Sequence, residues 1–166
     1  MQKKKNMKVI LTVALFLGVV SGAHAQTSDA EAEAIVNLLG VQKKEAISKL
    51  VPVTGKDSAA FWKIYDEYQV ANKANAKARI GLYEKTAQSY SNMTPAIADS
   101  LAGKYFTNRF DQEKTLELYY KRIKAATNAI IAFEFYQAEV YMLTQIRASI
   151  MQQVPTYGHL QSMKKN

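Results

Sequence analysis

The sequence contains no cysteine, only three prolines, seven glycines and two histidines in 166 residues. The absence of cysteine excludes disulfide scaffolds, cysteine-ligated zinc, c-type haem attachment and thiol catalysis. The low glycine and proline content excludes a fibrous or low-complexity chain. Hydrophobic residues make up 48% of the chain and charged residues 22%, which is too apolar for intrinsic disorder. This length and composition are typical of one compact domain.

The first 25 residues have the pattern of a secretory signal peptide. Four lysines precede an uncharged apolar stretch at residues 9–20, and the small residues Ala23 and Ala25 occupy the −3 and −1 positions of a cleavage site. The stretch is shorter than the roughly 18 residues that a membrane-spanning helix requires. We therefore expect cleavage before Gln26, export to the periplasm or secretion, and no transmembrane span in the mature chain.

Cleavage would halve the net charge of the protein. The whole chain carries 22 basic and 14 acidic residues, a net charge of +8, and residues 1–25 hold four of the basic residues and no acidic one. The mature chain would therefore carry a net charge of +4. An exported protein with so modest an excess of positive charge is not expected to bind nucleic acid.

Helix breakers divide the remaining sequence into four long segments. Clusters of breaker residues stand at residues 52–55, 92–95 and 155–158, with a weaker break at residues 127–128. The segments between them lack the alternation of a strand, so the sequence predicts a single all-α domain at residues 26–154 and a flexible basic tail at residues 155–166. The predicted helices cover residues 29–50, 55–90, 95–124 and 128–153.

Local signals mark where these helices begin. Ser28 is predicted to cap the first helix, with a glutamate three residues on as its partner in a capping box. Thr54 is predicted to cap the second helix by accepting the backbone N–H of Asp57. Thr94 is predicted to cap the third, because a proline follows it at the first helical position. Gly40 lies inside the first helix, where we expect a bend or short break.

The apolar positions predict how the helices pack. The second and third helices each carry an inward stripe at helical spacing, with Phe106 and Phe110 on a row beside the stripe of the third helix. The fourth helix has only three charged residues, so we expect burial on more than one side, with Tyr141 included. Because short turns favour antiparallel neighbours, the sequence predicts an elongated, hairpin-like four-helix bundle with two long helices. A homodimer would complete its core.

Few residues could carry a reaction. His159 is the single histidine of the mature chain and lies in the predicted tail, so neither a carboxylate–histidine metal site nor a Ser-His-Asp triad is expected. The acid pairs Asp66–Glu67 and Asp111/Glu113 would act as acid and base, or would simply balance nearby lysines. We expect no enzymatic activity, no catalytic residue, no metal and no cofactor.

Two groups of cations and one aromatic side chain are candidate client-binding residues. Lys73 and Lys77 are four residues apart on one face of the second helix, and Lys121 and Arg122 stand near the end of the third. They would line a cationic surface for an acidic or unfolded protein, or form ordinary solvated faces. Trp62 lies off the stripe formed by its neighbours and is either a packing contact or an exposed anchor for a partner.

Several segments resemble the Spy/CpxP group of periplasmic helical proteins, particularly its divergent exported forms in Bacteroidetes. Val-Thr-Gly-Lys-Asp at residues 53–57 stands where that group has a Leu-Thr-x-x-Gln helix opening, and Phe-Trp-x-Ile-Tyr-Asp-Glu-Tyr follows at residues 61–68. Met-Thr-Pro at residues 93–95 resembles the second such opening. Residues 135–139, followed by Val-Pro at residues 154–155, resemble the final helix and its stop.

The resemblance spans about residues 31–155 and implies a bent four-helix dimer that forms a cradle. It also implies ATP-independent chaperone activity or envelope-stress sensing in the periplasm, with no catalytic residue and no cofactor. The leading hypothesis is therefore an exported module that binds unfolded or envelope proteins. The alternative is a structural adaptor that docks one defined envelope partner through its fourth helix.

Overall fold

The computed structural model describes residues 29–151, which form four helices joined by short turns. These are α1 (Asp29–Leu50), α2 (Lys56–Ser89), α3 (Pro95–Ala126) and α4 (Ala129–Met151), with a 3-10 turn at Tyr90–Asn92. No strand occurs in residues 29–151, so the predicted all-α class and the four-helix division are confirmed. The signal peptide at residues 1–25, the Ser28 cap, His159 and the tail at residues 155–166 lie outside the described residues.

The two long helices form an antiparallel hairpin. α2 has 34 residues and α3 has 32, so each is about 50 Å long at 1.5 Å per residue. Arg122 of α3 pairs with Glu67 near the start of α2, whereas Tyr105 shares a 2.8 Å hydrogen bond with Thr86 near its end. Residue numbers thus rise along one helix as they fall along the other, and the predicted elongated hairpin is confirmed.

Two of the helix starts carry a side-chain cap. Thr94 Oγ1 accepts the backbone N–H of Ile97 at 3.3 Å, as predicted, with proline at the first helical position of α3. At the start of α4, Asn128 Oδ1 accepts the N–H groups of Ile130 and Ile131 at 2.9 and 3.0 Å. These bonds satisfy donors that the first turn of a helix otherwise leaves without a partner.

The predicted cap at Thr54 is wrong. α2 begins at Lys56 and its N-cap is Gly55, with φ of 64° and no side-chain hydrogen bond to the first turn. The chain turns into the helix through a left-handed conformation that favours glycine. Thr54 therefore stands one residue before the N-cap, so its side chain does not take the capping position.

Gly40 does not break α1, which runs continuously through it, so the expected short break does not occur. The glycine instead permits a close approach of α1 to α2. Gln69 Nε2 donates to the Gly40 carbonyl at 3.2 Å, and a Cβ at this position would lie 3.3 Å from Gln69 Oε1. A larger side chain would therefore press on the amide that ties the two helices together.

The four helices meet around an aromatic core. Phe61, Tyr65 and Tyr68 of α2 surround Phe135 of α4, with ring centroids 5.4 to 6.4 Å from that of Phe135. All four residues are completely buried. Aliphatic residues from α1, the turn that follows it and α3 close the cluster, namely Ile47, Val51, Leu116 and Ile123.

The middle of the hairpin is held by amides instead of apolar side chains. Asn75 Nδ2 donates to the Asn108 carbonyl at 2.9 Å, and Asn108 Nδ2 donates to the Asn75 carbonyl at 3.0 Å. Gln112 also points inward and is buried. Because these amides occupy the inward positions of α3, Phe106 and Phe110 face outward and are 63% and 67% exposed. Leu101, Leu116, Tyr119 and Ile123 of the predicted inward stripe are buried, and the row beside it that holds the two phenylalanines faces solvent.

Only one side of α4 is buried within the chain. Ala132, Phe135, Ala138, Glu139 and Met142 face the core, which is one stripe at helical spacing. Tyr141 is 52% exposed, so the expectation that it lies inside the bundle is wrong. The fourth helix is rich in apolar residues on both sides, and its composition therefore did not show which side packs.

Candidate functional site

The candidate cations on α3 form ion pairs within the hairpin. Lys121 pairs with Glu117 one turn earlier on the same helix. Arg122 pairs with Glu67 of α2, and its guanidinium lies 4.8 Å from the centre of the Tyr119 ring. Arg122 therefore links the two long helices and covers an aromatic ring as well as presenting charge.

Lys73 and Lys77 are half-buried on α2, and each makes contacts within the protein. Lys73 lines a cavity between α1, α2 and α4. Arg122, in contrast, lies where α3 meets the first turns of α2. Lys73 and Arg122 thus belong to different parts of the bundle.

Trp62 lies at the edge of the aromatic core and is half-buried. Its ring packs edge-on against Phe61 at 4.9 Å and Tyr65 at 5.6 Å between centroids. On the outer side, Lys44 Nζ lies 5.6 Å from the ring centre, and the same lysine pairs with Asp66. Packing accounts for one side of the indole, and a cation covers part of the other.

A buried ionic cluster, which the sequence did not reveal, joins three helices. Lys43 Nζ of α1 lies 3.0 Å from Glu139 Oε2 of α4, with 8% and 0% of the two side chains exposed. Tyr68 donates to the same oxygen at 2.8 Å, and Tyr65 donates to Oε1 at 3.1 Å. The carboxylate thus accepts three hydrogen bonds, which is what a buried charge requires.

The electrostatics of this cluster keep both tyrosines protonated. Burial raises the pKa of Tyr65 and of Tyr68 well above the usual value near 10, and the negative charge of Glu139 raises them further. A protonated tyrosine keeps the O–H group that donates to Glu139. The cluster therefore orients α1, α2 and α4 with respect to one another.

The raised pKa values predict a loss of stability at alkaline pH. Tyrosines in the unfolded chain ionise near pH 10, whereas the folded chain keeps the protons of Tyr65 and Tyr68. The free energy of unfolding should be unaffected by these groups below about pH 10 and should fall above it by about 1.4 kcal/mol per pH unit for each tyrosine. Urea unfolding between pH 8 and 11.5 measures this slope.

Matched tyrosine variants separate this effect from general alkaline unfolding. Tyr65→Phe should make the decline of the unfolding free energy above pH 10 less steep, because phenylalanine has no phenolic proton to release on unfolding. Tyr90→Phe, at a position 38% exposed, should leave the slope unchanged. Equal slopes for the wild type and Tyr65→Phe would contradict the assignment of the proton to Tyr65.

The outer side of α4 carries exposed apolar residues, with no charge at any exposed position up to residue 149 and the half-buried Glu134 one turn after Ile130. Ile130, Phe133 and Tyr141 are 71%, 54% and 52% exposed. The other exposed positions of α4 up to residue 149 are Ala129, Gln137, Thr144 and Ala148. We call this surface the apolar face of α4. Uncharged surfaces with exposed aromatic residues are typical of places where another macromolecule binds.

Other features of the described chain bear on membranes and metals. No helix within residues 29–151 is both long and apolar enough to cross a membrane. Among the described residues, no three histidine or acidic side chains come together as they would around a metal ion. Asp66 and Glu67, one of the candidate acid pairs, form ion pairs with Lys44 and Arg122.

Fold and surface together define an all-α helical bundle with an unpartnered apolar helix face. In comparisons with family models, with curated proteins and with solved structures, the chain has no match.

Proposed function

We propose that the protein is an exported, ATP-independent protein-binding module of the Spy/CpxP type, which holds unfolded or envelope proteins in the periplasm as a chaperone or envelope-stress sensor. In this proposal the protein has no enzymatic activity and requires no cofactor. The signal-peptide pattern supports export, and the sequence resemblance supports the class of activity. The apolar face of α4 is the observation that carries the proposal.

This face is suited to binding a polypeptide through its apolar side chains. Ile130, Phe133 and Tyr141 lie within about 20 Å along α4 and project from one side of the helix. Covering such side chains is favourable by about 25 cal/mol for each Å² of apolar surface removed from water. Glu134 stands beside them and is half-buried, so a client that covers the exposed residues contacts mainly uncharged side chains.

The candidate cations have a supporting role in this proposal. Lys121 and Arg122 are paired with acids of the same chain, which reduces the charge that they offer to a client. Exposed charges act only within a Debye length of roughly 8 Å at physiological ionic strength. We therefore place the main binding energy on the apolar face and a salt-dependent contribution on Lys73, Lys77, Lys121 and Arg122.

One observation favours the adaptor alternative. The exposed apolar residues of α4 form a single narrow stripe along one helix, which is also the geometry by which a helix docks into a groove of a defined partner. An adaptor would bind one partner saturably, whereas a chaperone would protect unrelated clients.

A homodimer formed through the same face would cover the stripe, and its mass would depend on protein concentration.

Suppression of aggregation by variants of the apolar face tests the proposal. The wild type at several-fold excess should slow the aggregation of two unrelated unfolded proteins without ATP. Replacing both Phe133 and Tyr141 by serine should reduce this protection several-fold and leave the helical circular dichroism and the melting temperature unchanged, because both side chains are exposed. Light scattering of the same samples reports whether the double variant alters the oligomeric state.

A matched pair on another helix is the control. Serine at both Phe106 and Phe110, which are exposed on α3, should reduce protection less than the α4 pair. Charge reversal at Lys73 and Lys77 should reduce the salt-dependent part and leave the rest of the protection unchanged. If the wild type protects neither client, the chaperone activity is wrong and the adaptor stands. If protection survives the α4 substitutions, the binding surface lies elsewhere.

A further inference from the structure

A cavity of about 370 Å³ lies between α1, α2 and α4, apart from the apolar face of α4. Its walls are mainly aliphatic, with Val36, Leu39, Val70, Ile80, Leu143 and Ile146 among the lining residues. This volume and lining are typical of small-molecule sites, which combine apolar walls with a few polar groups that orient the ligand.

The charge of the cavity has one sign. The described residues that line it include four basic side chains and no acidic one. Lys43 and Lys44 are neutralised by Glu139 and Asp66, respectively. The other two basic residues are Lys73, which is half-buried and makes its own contacts within the protein, and Arg79.

Arg79 is a mostly buried cation without a carboxylate partner among the described side chains. Its guanidinium donates to the amide oxygen of Gln112, which is neutral, and it takes part in none of the ion pairs of the described residues. Burial lowers the pKa of Arg79 and repulsion from Arg147 of α4 lowers it too, and these effects outweigh the opposing influence of Tyr83, Tyr68 and Glu139. A bound anion would relieve both effects.

Asn72 supplies a second polar group that lacks a partner. It lines the same cavity, two helical turns from Arg79 on α2, and only 4% of the residue is exposed. Its Oδ1 is buried and accepts no hydrogen bond. A buried acceptor without a donor is unfavourable by itself, and a ligand that brings an O–H group would satisfy it.

We propose that this cavity binds a medium-chain hydroxy fatty acid. The carboxylate accepts hydrogen bonds from Arg79, the hydroxyl group donates to Asn72 Oδ1, and the aliphatic chain lies against the apolar walls of α1, α2 and α4. An acid without a hydroxyl group leaves Asn72 unsatisfied, and an uncharged ester leaves Arg79 without an anion. Each part of the ligand thus binds a separate feature of the cavity.

Calorimetric titration with 3-hydroxydecanoate, decanoate and the methyl ester of 3-hydroxydecanoate, each below its micellar concentration, tests the proposal on the full chain. The hydroxy acid should bind saturably with one site per chain. The ester should bind at least about tenfold more weakly because it lacks the charge that pairs with Arg79, and decanoate should bind about threefold to tenfold more weakly.

Variants of the cavity separate the charge from the apolar walls. Arg79→Met should weaken binding of the acid to about the level of the ester, whereas Arg79→Lys should keep a preference for the acid. Ala76→Trp, which places an indole in the cavity lining, should abolish binding. Ala74→Trp is the matched control, because Ala74 is exposed and lines the groove on the other side of α2, so this variant should bind normally.

The outcomes decide the proposal without reference to chaperone activity. No saturable binding of 3-hydroxydecanoate would overturn it. Equal affinity for the acid and its ester would remove the role of Arg79, and equal affinity for decanoate would remove that of Asn72; either result overturns the assigned ligand. If an Arg79 variant fails to fold, the comparison of Ala76→Trp with Ala74→Trp still tests whether the ligand occupies this cavity.

Discussion

Replacing Glu139 by leucine should lower the free energy of unfolding by about 3–5 kcal/mol, because the substitution leaves a buried lysine without its counter-ion. Lys43 is only 6% exposed, so water cannot solvate its ammonium group once the carboxylate is lost. Tyr65 and Tyr68 would lose their acceptor in the same step. Urea unfolding at neutral pH, followed by circular dichroism, measures the difference from the wild type.

Two further variants show whether the buried pair itself is responsible. Combining Lys43→Met with Glu139→Leu should recover part of the loss, because a pair of apolar side chains replaces an isolated buried charge. Glu113→Leu, an exposed position on α3, should leave the unfolding curve close to that of the wild type. A double variant that shows the full sum of the two single losses would contradict a direct interaction between Lys43 and Glu139.

Phe135→Ala should lower the free energy of unfolding by about 3–5 kcal/mol, the usual range for removing a buried aromatic side chain. Phe135 is completely buried, and its ring contacts those of Phe61, Tyr65 and Tyr68. Alanine would leave a hole at the point where α2 and α4 meet. Thermal and urea unfolding of the variant measure the loss.

Phe133 provides a control of the same residue type on the same helix. It stands two positions before Phe135 but is 54% exposed, so Phe133→Ala should change stability by no more than about 0.5 kcal/mol. The comparison is made at a protein concentration low enough to keep the chain monomeric. Similar losses at both positions would show that α4 is rotated relative to the packing described above.

The positions of the helices could be predicted from the sequence because local residues determine them. Proline cannot continue a helix at low cost, and Thr94 caps α3 through a bond to a residue only three positions away. The bounds of all four helices agree with the prediction to within two residues. The cap of α2 was misassigned because Thr54 and Gly55 are adjacent, and only the backbone conformation shows which one ends the turn.

The faces of α4 could not be predicted in the same way. A helical stripe is visible in a sequence when polar residues mark its outer side, and the outer side of α4 has Ile130, Phe133 and Tyr141 there instead. The buried ionic cluster was equally hidden, because Lys43 and Glu139 are 96 residues apart in the chain. One signal did exist: Glu139 follows Phe135 by one turn and precedes Met142 by three residues, which places a carboxylate within the inward apolar stripe.

The long hairpin has two ends that are packed to different extents, and the amide-paired middle lies between them. On one side all four helices share the aromatic core, and opening there disrupts every element at once. On the other side, towards the 3-10 turn, α2 and α3 are joined by fewer buried side chains, among them Leu82, Tyr83 and Leu101. Segments with few buried contacts open locally at a lower free energy than the whole fold. The tip of the hairpin, from about Leu82 to Leu101, can therefore open locally while the aromatic core remains folded.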